Sequence, residues 1–79
     1  MTINDRINAV ALRTVNELLA ECLAVYNEQT RSDWASFEPT LLDLAVARGQ
    51  LEKGCRKGAV AAVADARACL AGNWDHFRR

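Results

Sequence analysis

Hydrophobic and polar positions alternate over the first thirty residues with the period of an α-helix. With successive residues placed about 100° apart, apolar side chains from Ile3 to Tyr26 cover roughly 220° of the circumference, whereas a surface helix needs about 100°. The rest of the chain can cover part of this sector. We therefore expect the remainder to be buried by a partner, most simply a second copy. The apolar positions are Ile3, Ile7, Val10, Ala11, Leu12, Val15, Leu18, Leu19, Cys22, Leu23, Val25 and Tyr26.

The start of this first helix carries a capping signal. Thr2 is a good N-cap residue, and Asp5 three residues later completes an approximate capping box and favours the positive end of the helix dipole. The apolar period stops near Gln29 or Thr30, which predicts a helix of about 27 residues and roughly 40 Å. Such length in a 79-residue chain also favours a partner.

A second helix is predicted from Pro39 to Lys53, because proline suits the first helical position. Before it, residues 30–38 form a connection with one turn that carries Trp34 and Phe37, either as a plug for the end of the bundle or as exposed anchors for a partner. Gly49 weakens the helix interior, so we expect a close helix crossing there. The predicted inward stripe is Phe37, Leu41, Leu44, Leu51 and Cys55, with Ala45 beside it and Arg48 within it.

A third helix is predicted from Ala59 to Ala71, since Gly54 suits the left-handed end of the second helix and Gly72 stops the third. Its predicted inward positions are Ala59, Val63, Ala66 and Leu70. After it, Trp74 and Phe77 repeat the aromatic spacing of the earlier turn.

The segment 39–71 locally resembles one helical hairpin of the tetratricopeptide repeat, with Gly54, Ala59 and Ala66 at the turn and small packing positions. The resemblance covers less than half of the chain and does not recur along it, and it implies an antiparallel helix pair. The predicted fold is therefore all-α: one domain over residues 1–79, with a long N-terminal helix plus an antiparallel helical hairpin in a small bundle, as a dimer.

Charge and cysteine content indicate which partners and which cellular compartment to expect. The net charge is zero, which argues against a bulk attraction to nucleic acid, and the acidic polar side of the first helix argues against an anionic membrane surface. The three cysteines are not spaced as metal ligands. The hydrophobic pattern predicts neither a signal peptide nor a membrane-spanning segment. These features predict a protein of the reducing cytoplasm.

Groups for catalysis are scarce in this chain. His76 is the only histidine, and no glycine-rich phosphate loop, histidine pair or carboxylate cluster accompanies it. We therefore expect no enzyme activity, no cofactor and no metal.

A DNA-binding alternative depends on the basic region 48–58, where Ala45 and Gly49 loosely resemble the turn of a helix-turn-helix. Its recognition helix would begin near Gln50 and would contain Gly54 and Gly58, which disfavour a helix. In this alternative the protein is a dimeric transcriptional regulator.

The leading hypothesis is a small interaction protein, a regulator or inhibitor of the bacterial or phage accessory type, that binds a larger protein and occludes it. The hairpin is expected to cover the edge of the first helix that holds Leu12, Leu19, Leu23 and Tyr26. The other edge is the predicted dimer interface, formed by Ile7, Val10, Leu18 and Val25. The predicted partner-binding residues are Trp34, Phe37, Arg48, Arg56, Lys57, Trp74 and Phe77.

Overall fold

A computed structural model of the chain describes residues 2–28 and 34–73, and these residues form three helices. They are α1 (Ile3–Glu28), α2 (Trp34–Glu52) and α3 (Ala59–Ala71), and these ranges contain no strand. Each helix contacts the other two, so the predicted all-helical bundle is confirmed at this level. The 26 residues of α1 span about 39 Å and account for most of the 44 Å long dimension of the molecule.

The N-terminus of α1 has the predicted capping box. The backbone N–H of Asp5 donates to Oγ1 of Thr2 at 3.1 Å, and the backbone N–H of Thr2 donates to Oδ2 of Asp5 at 3.2 Å. These reciprocal bonds satisfy two backbone donors around the start of the helix that have no intrahelical partner. The start of α1 is therefore determined by local sequence.

The start of α2 differs from the prediction. The helix begins at Trp34, so Pro39 lies inside it and the turn with Phe37 is part of the same helix. Proline cannot donate to the carbonyl four residues earlier, and that missing bond is a local cost. The buried positions Phe37, Leu44 and Leu51 recur every seven residues, so burial of Phe37 continues one apolar stripe across the proline.

Glycines end α2 and α3 in the same way. Gly54 has φ +86° and Gly72 has φ +70°, the left-handed conformation that glycine adopts without steric cost. After α2, the N–H groups of Gly54 and Cys55 donate to the carbonyls of Leu51 and Gln50. The equivalent pair of bonds follows α3, which makes both ends Schellman motifs, as the glycine positions predict.

Helices α2 and α3 bury the middle of the apolar sector of α1 and leave both of its edges partly open. Val15, Leu18 and Cys22 are the buried residues of α1. The prediction that one edge would be covered and the other left for a second copy is therefore wrong. Because α2 and α3 both pack against α1, each covers the sector from its own side, and the deepest burial falls between them.

The core stripes of α2 and α3 include small and polar residues that the hydrophobic pattern did not indicate. Phe37, Leu44 and Leu51 are buried as expected, as are Ala59 and Ala66, whereas Cys55 is exposed and Leu41, Val63 and Leu70 are only partly buried. The additional buried residues are Thr40, Ala47, Ala62, Ala68 and Cys69. Oγ1 of Thr40 lies 3.3 Å from Sγ of Cys69, so the buried hydroxyl has a hydrogen-bonding partner on α3.

Gly49 has open space where a side chain would be. A Cβ atom built there meets nothing within 4 Å, so no close crossing inside this chain explains the glycine. We expect Gly49→Ala to raise the free energy of unfolding by about 0.5–1 kcal/mol, because alanine loses less backbone entropy in a helix. Denaturant titration followed by circular dichroism measures the change.

Gly54→Ala is the matched control for that substitution. Its φ of +86° is one that a residue with a Cβ adopts at a cost of about 1–2 kcal/mol. We expect this variant to be destabilised. If both substitutions changed the free energy of unfolding by the same amount, the interpretation of Gly49 as a helical residue with open space beside it would be contradicted.

Candidate functional site

A groove with a mainly apolar lining runs along the surface where α1 and α2 meet. Its volume is about 1030 Å³, and we call it the α1–α2 groove. Leu42 is 68% exposed at its rim, and Leu23 of α1 is also exposed, although both are large hydrophobic side chains. The lining residues are Leu19, Leu23 and Tyr26 of α1 with Glu38, Pro39, Leu41, Leu42, Ala45 and Arg48 of α2.

Opposite charges flank the two ends of the α1–α2 groove. At one end, the hydroxyl of Tyr26 donates to Oε1 of Glu38 at 2.8 Å, and this bond is the main reason why the pKa of Tyr26 is raised above its usual 10.0. Arg48 lies ten residues after Glu38, about 15 Å further along the helix axis. Both charged side chains are exposed. The groove therefore has an apolar centre, an acidic end and a basic end.

A second apolar surface lies on the other side of α1, where α1 meets α3, and we call it the α1–α3 surface. Val10 of α1 is 61% exposed and Val60 of α3 is 80% exposed. Ala11 lines two adjoining depressions of about 370 and 330 Å³, one beside Val10 and one beside Val60, so the apolar side chains form one continuous surface. Arg6 and Arg67 flank it. Ile7, which is also exposed, lines the depression beside Val10.

Two of the four predicted dimer residues are unavailable or partly unavailable for a partner. Leu18 is buried in the core of its own chain, so its assignment to a dimer interface is wrong. Val25 is partly buried against the same core. Ile7 and Val10 are exposed and belong to the α1–α3 surface. The division arises because α3 packs beside α1 and takes up the middle of its apolar sector.

Phe37 is a core residue and not a partner-binding anchor. Its side chain is 1% exposed and belongs to the central hydrophobic cluster, which corrects its placement among the binding residues. Of the other predicted aromatic anchors, Trp34 is the first residue of α2, and Trp74 and Phe77 lie outside the described residues. Those three assignments stay predictions.

The predicted basic residues separate into two places. Arg48 lines the α1–α2 groove, while Arg56 and Lys57 are exposed in the turn between α2 and α3. The helix-turn-helix resemblance required a recognition helix from about Gln50 onward. Because α2 ends at Glu52 and residues 53–58 form a turn, the region 48–58 does not make that helix.

Two strongly exposed apolar residues, Leu42 and Val60, were not among the predicted site residues. A partial signal was present, since Leu41 and Leu42 are adjacent and a helix can turn only one of two neighbours fully inward. Val60 has a similar signal, because it follows Ala59, which faces the core. Glu38 gave no signal, because its place in the groove depends on the contact of its carboxylate with Tyr26 of α1.

The two buried cysteine thiols, Cys22 and Cys69, are not suited to a reactive site. Burial is the main cause that raises the pKa of Cys22 from 9.0 to about 11, with smaller contributions from Cys69 and Glu21. Burial also raises the pKa of Cys69, although its contact with Thr40 acts in the opposite direction. A reactive thiol needs a lowered pKa and access to solvent, and these two thiols have neither.

Within residues 2–28 and 34–73, no group of three or more metal-ligating side chains is arranged to hold an ion. No helix in the same ranges is both long and apolar enough to cross a membrane. No family model, no curated protein and no solved structure matches this chain.

Proposed function

We propose that this chain is a non-catalytic protein–protein interaction module that acts as a dimer, binds a larger protein and occludes a functional site on it. The observation that carries the proposal is the α1–α3 surface, where Val10 and Val60 are exposed on adjoining helices. Contiguous exposed apolar surface is typical of interaction sites in small proteins, whereas single exposed apolar residues are not.

The charges around the α1–α3 surface define the chemistry of the target. Arg6 and Arg67 line its two depressions, and no acidic residue of the described chain does so. A complementary target has an apolar patch with carboxylates at its rim. Such charges favour the correct partner and accelerate association.

The proposed mechanism is steric occlusion by a preformed surface. Both walls of the surface are helices that pack on the core, so little backbone ordering is needed on binding. The protein would regulate or inhibit the target by covering its site. This assignment needs no cofactor.

Two finer features of the molecule belong to the same proposal. We propose that α2 and α3 are antiparallel, which is supported by the Thr40–Cys69 contact and by the 3.1 Å approach of Gln50 Oε1 to a Cβ built at Gly58. We also propose that the protein acts in the cytoplasm, which is supported by its three free thiols, two of them buried.

The target can be sought with a matched pair of bait proteins. Val10→Glu places a charge in the α1–α3 surface, and Val46→Glu places one on α2, at a residue 53% exposed and remote from that surface. Proteins captured by the wild-type chain and by Val46→Glu, but not by Val10→Glu, are then purified for affinity measurement. We expect Val10→Glu and Val60→Glu each to weaken binding by at least tenfold, the effect of truncating a central interface residue.

The dependence on salt tests the charge assignment. With a purified target, we expect the association rate to fall as salt rises, and Arg6→Gln with Arg67→Gln to reduce that dependence. Binding that is unchanged by Val10→Glu and Val60→Glu would overturn the assignment of this surface. Trp34→Ala and Trp74→Ala in the same assay test the predicted aromatic anchors.

A further inference from the structure

We propose that the α1–α2 groove is the self-association site of this protein, and that it receives α2 of a second copy about a two-fold axis. The inference rests on the dimer part of the proposed function and moves the dimer interface away from the predicted edge of α1. It uses a different surface from the one assigned to the target.

The charge pattern distinguishes the two surfaces. An interface between identical copies about a two-fold axis must be complementary to itself. The α1–α2 groove meets this condition, because Glu38 flanks one end and Arg48 the other. The α1–α3 surface does not, because Arg6 and Arg67 are the charged residues that line it and two copies would oppose cations.

The spacing along α2 gives the register of the pair. When two α2 helices lie antiparallel with Glu38 opposite Arg48 of the second copy, Leu41 lies opposite Ala45 of that copy. The axis then crosses α2 at the level of Asp43, whose side chain lines the depression on the α3 side of the helix. Leu42 lies one residue, about 1.5 Å, from that level, so the two Leu42 side chains approach each other over the centre of the groove. Residues 38, 42, 45 and 49 lie close to one line on the helix surface, at spacings of four, three and four.

Small residues on that line leave room for the second helix. Ala45 lines the groove and is partly exposed, and a Cβ at Gly49 would meet nothing within 4 Å. The close helix crossing that Gly49 suggests is absent inside the chain. A helix from a second copy would be placed beside it in the proposed pair, so the stabilisation expected of Gly49→Ala applies to the separated chain. Leu19 and Leu23 of α1 then form the opposite wall against Leu42 of that copy.

The charge pairing is tested by reversing each charge singly and then mixing the products. Glu38→Arg alone sets arginine against arginine, and Arg48→Glu alone sets glutamate against glutamate, in both halves of the interface. We expect each to dimerise at least tenfold more weakly than the wild type. An equimolar mixture pairs arginine with glutamate at both contacts, so we expect it to recover dimers.

Light scattering after size exclusion, over a hundredfold range of concentration, measures the mass of each sample. The wild-type chain is expected at twice its 8.7 kDa mass. Leu42→Glu is expected to be monomeric, whereas Val60→Glu, at an exposed residue of α3 outside the α1–α2 groove, is expected to be dimeric. Circular dichroism verifies that each variant is folded.

A wild-type protein that is monomeric throughout the range would overturn the proposal. So would a dimer that resists Leu42→Glu, or a mixture of the two charge variants that remains monomeric. A dimer broken by Val10→Glu and not by Leu42→Glu would assign self-association to the α1–α3 surface. Target capture that fails while these masses are as expected would affect only the target proposal, because the two experiments perturb different surfaces.

Discussion

Phe37→Ala is expected to lower the free energy of unfolding by about 3–5 kcal/mol, because it removes a large buried ring and leaves a cavity. Phe37 is 1% exposed and, among the side chains that the structure describes, is the largest that is fully buried. A chain of 79 residues buries a small core, so a loss of this size is a large part of its total stability. For a domain of this length, about 4 kcal/mol corresponds to a fall of roughly 16–30 °C in Tm.

Two further variants keep that prediction informative if Phe37→Ala does not fold. Phe37→Leu retains much of the buried volume and should unfold at an intermediate temperature, measured by circular dichroism. Val46→Ala on the exposed side of α2 should change stability by less than about 0.5 kcal/mol. If Phe37→Ala were as stable as Val46→Ala, Phe37 would not be a core residue, and the exposed-anchor alternative would be restored.

Alkaline pH is expected to destabilise the protein through the buried thiol of Cys22. Burial raises its pKa from 9.0 to about 11, so the unfolded chain ionises at a lower pH than the folded one. Below about pH 9 both states are protonated and this contribution to stability is fully present. Between about pH 9 and 11 the unfolded state binds fewer protons, so the free energy of unfolding falls by about 1.4 kcal/mol per pH unit, on the order of 2–3 kcal/mol in all.

The contribution of Cys22 is separated from that of other titrating groups by comparing how the free energy of unfolding depends on pH in the wild type and in Cys22→Ala. We expect Cys22→Ala to have a flatter dependence of unfolding free energy on pH between 9 and 11 than the wild type, with reductant present in both series. Tyr26, whose pKa is also raised, remains in both proteins and cancels in the difference. Parallel slopes would contradict the assignment to Cys22.

The wide apolar sector of α1 has a structural explanation that differs from a single partner interface. A helix that packs against two neighbours buries the middle of its sector, and each edge then contributes to a groove with one neighbour. Leu23 lines the α1–α2 groove, and Val10 belongs to the α1–α3 surface. One helix therefore supplies part of both proposed interaction surfaces. Because these surfaces are separate, the proposed self-association and target binding could occur together.

Local features of the fold could be predicted from the sequence, and long-range features could not. The capping box of Thr2 and Asp5 and the left-handed ends at Gly54 and Gly72 depend on residues close in the chain. The start of α2 was predicted incorrectly because Pro39 favours a helix start locally, whereas burial of Phe37 in the core extends the helix past it. Local preference is a weaker determinant than packing in that segment.

The candidate surfaces show the same division between what local sequence determines and what packing determines. The sequence alone determined that α1 carries more apolar surface than one neighbour can cover, and that the chain forms helices ended by glycines. The tertiary structure decided which part of that surface remains exposed: Leu18 went to the core and Val10 to the surface, although the helical pattern placed both on one edge. The reason is geometric. A periodic pattern gives the direction of a side chain around its own helix, but its exposure depends on where the neighbouring helices pack.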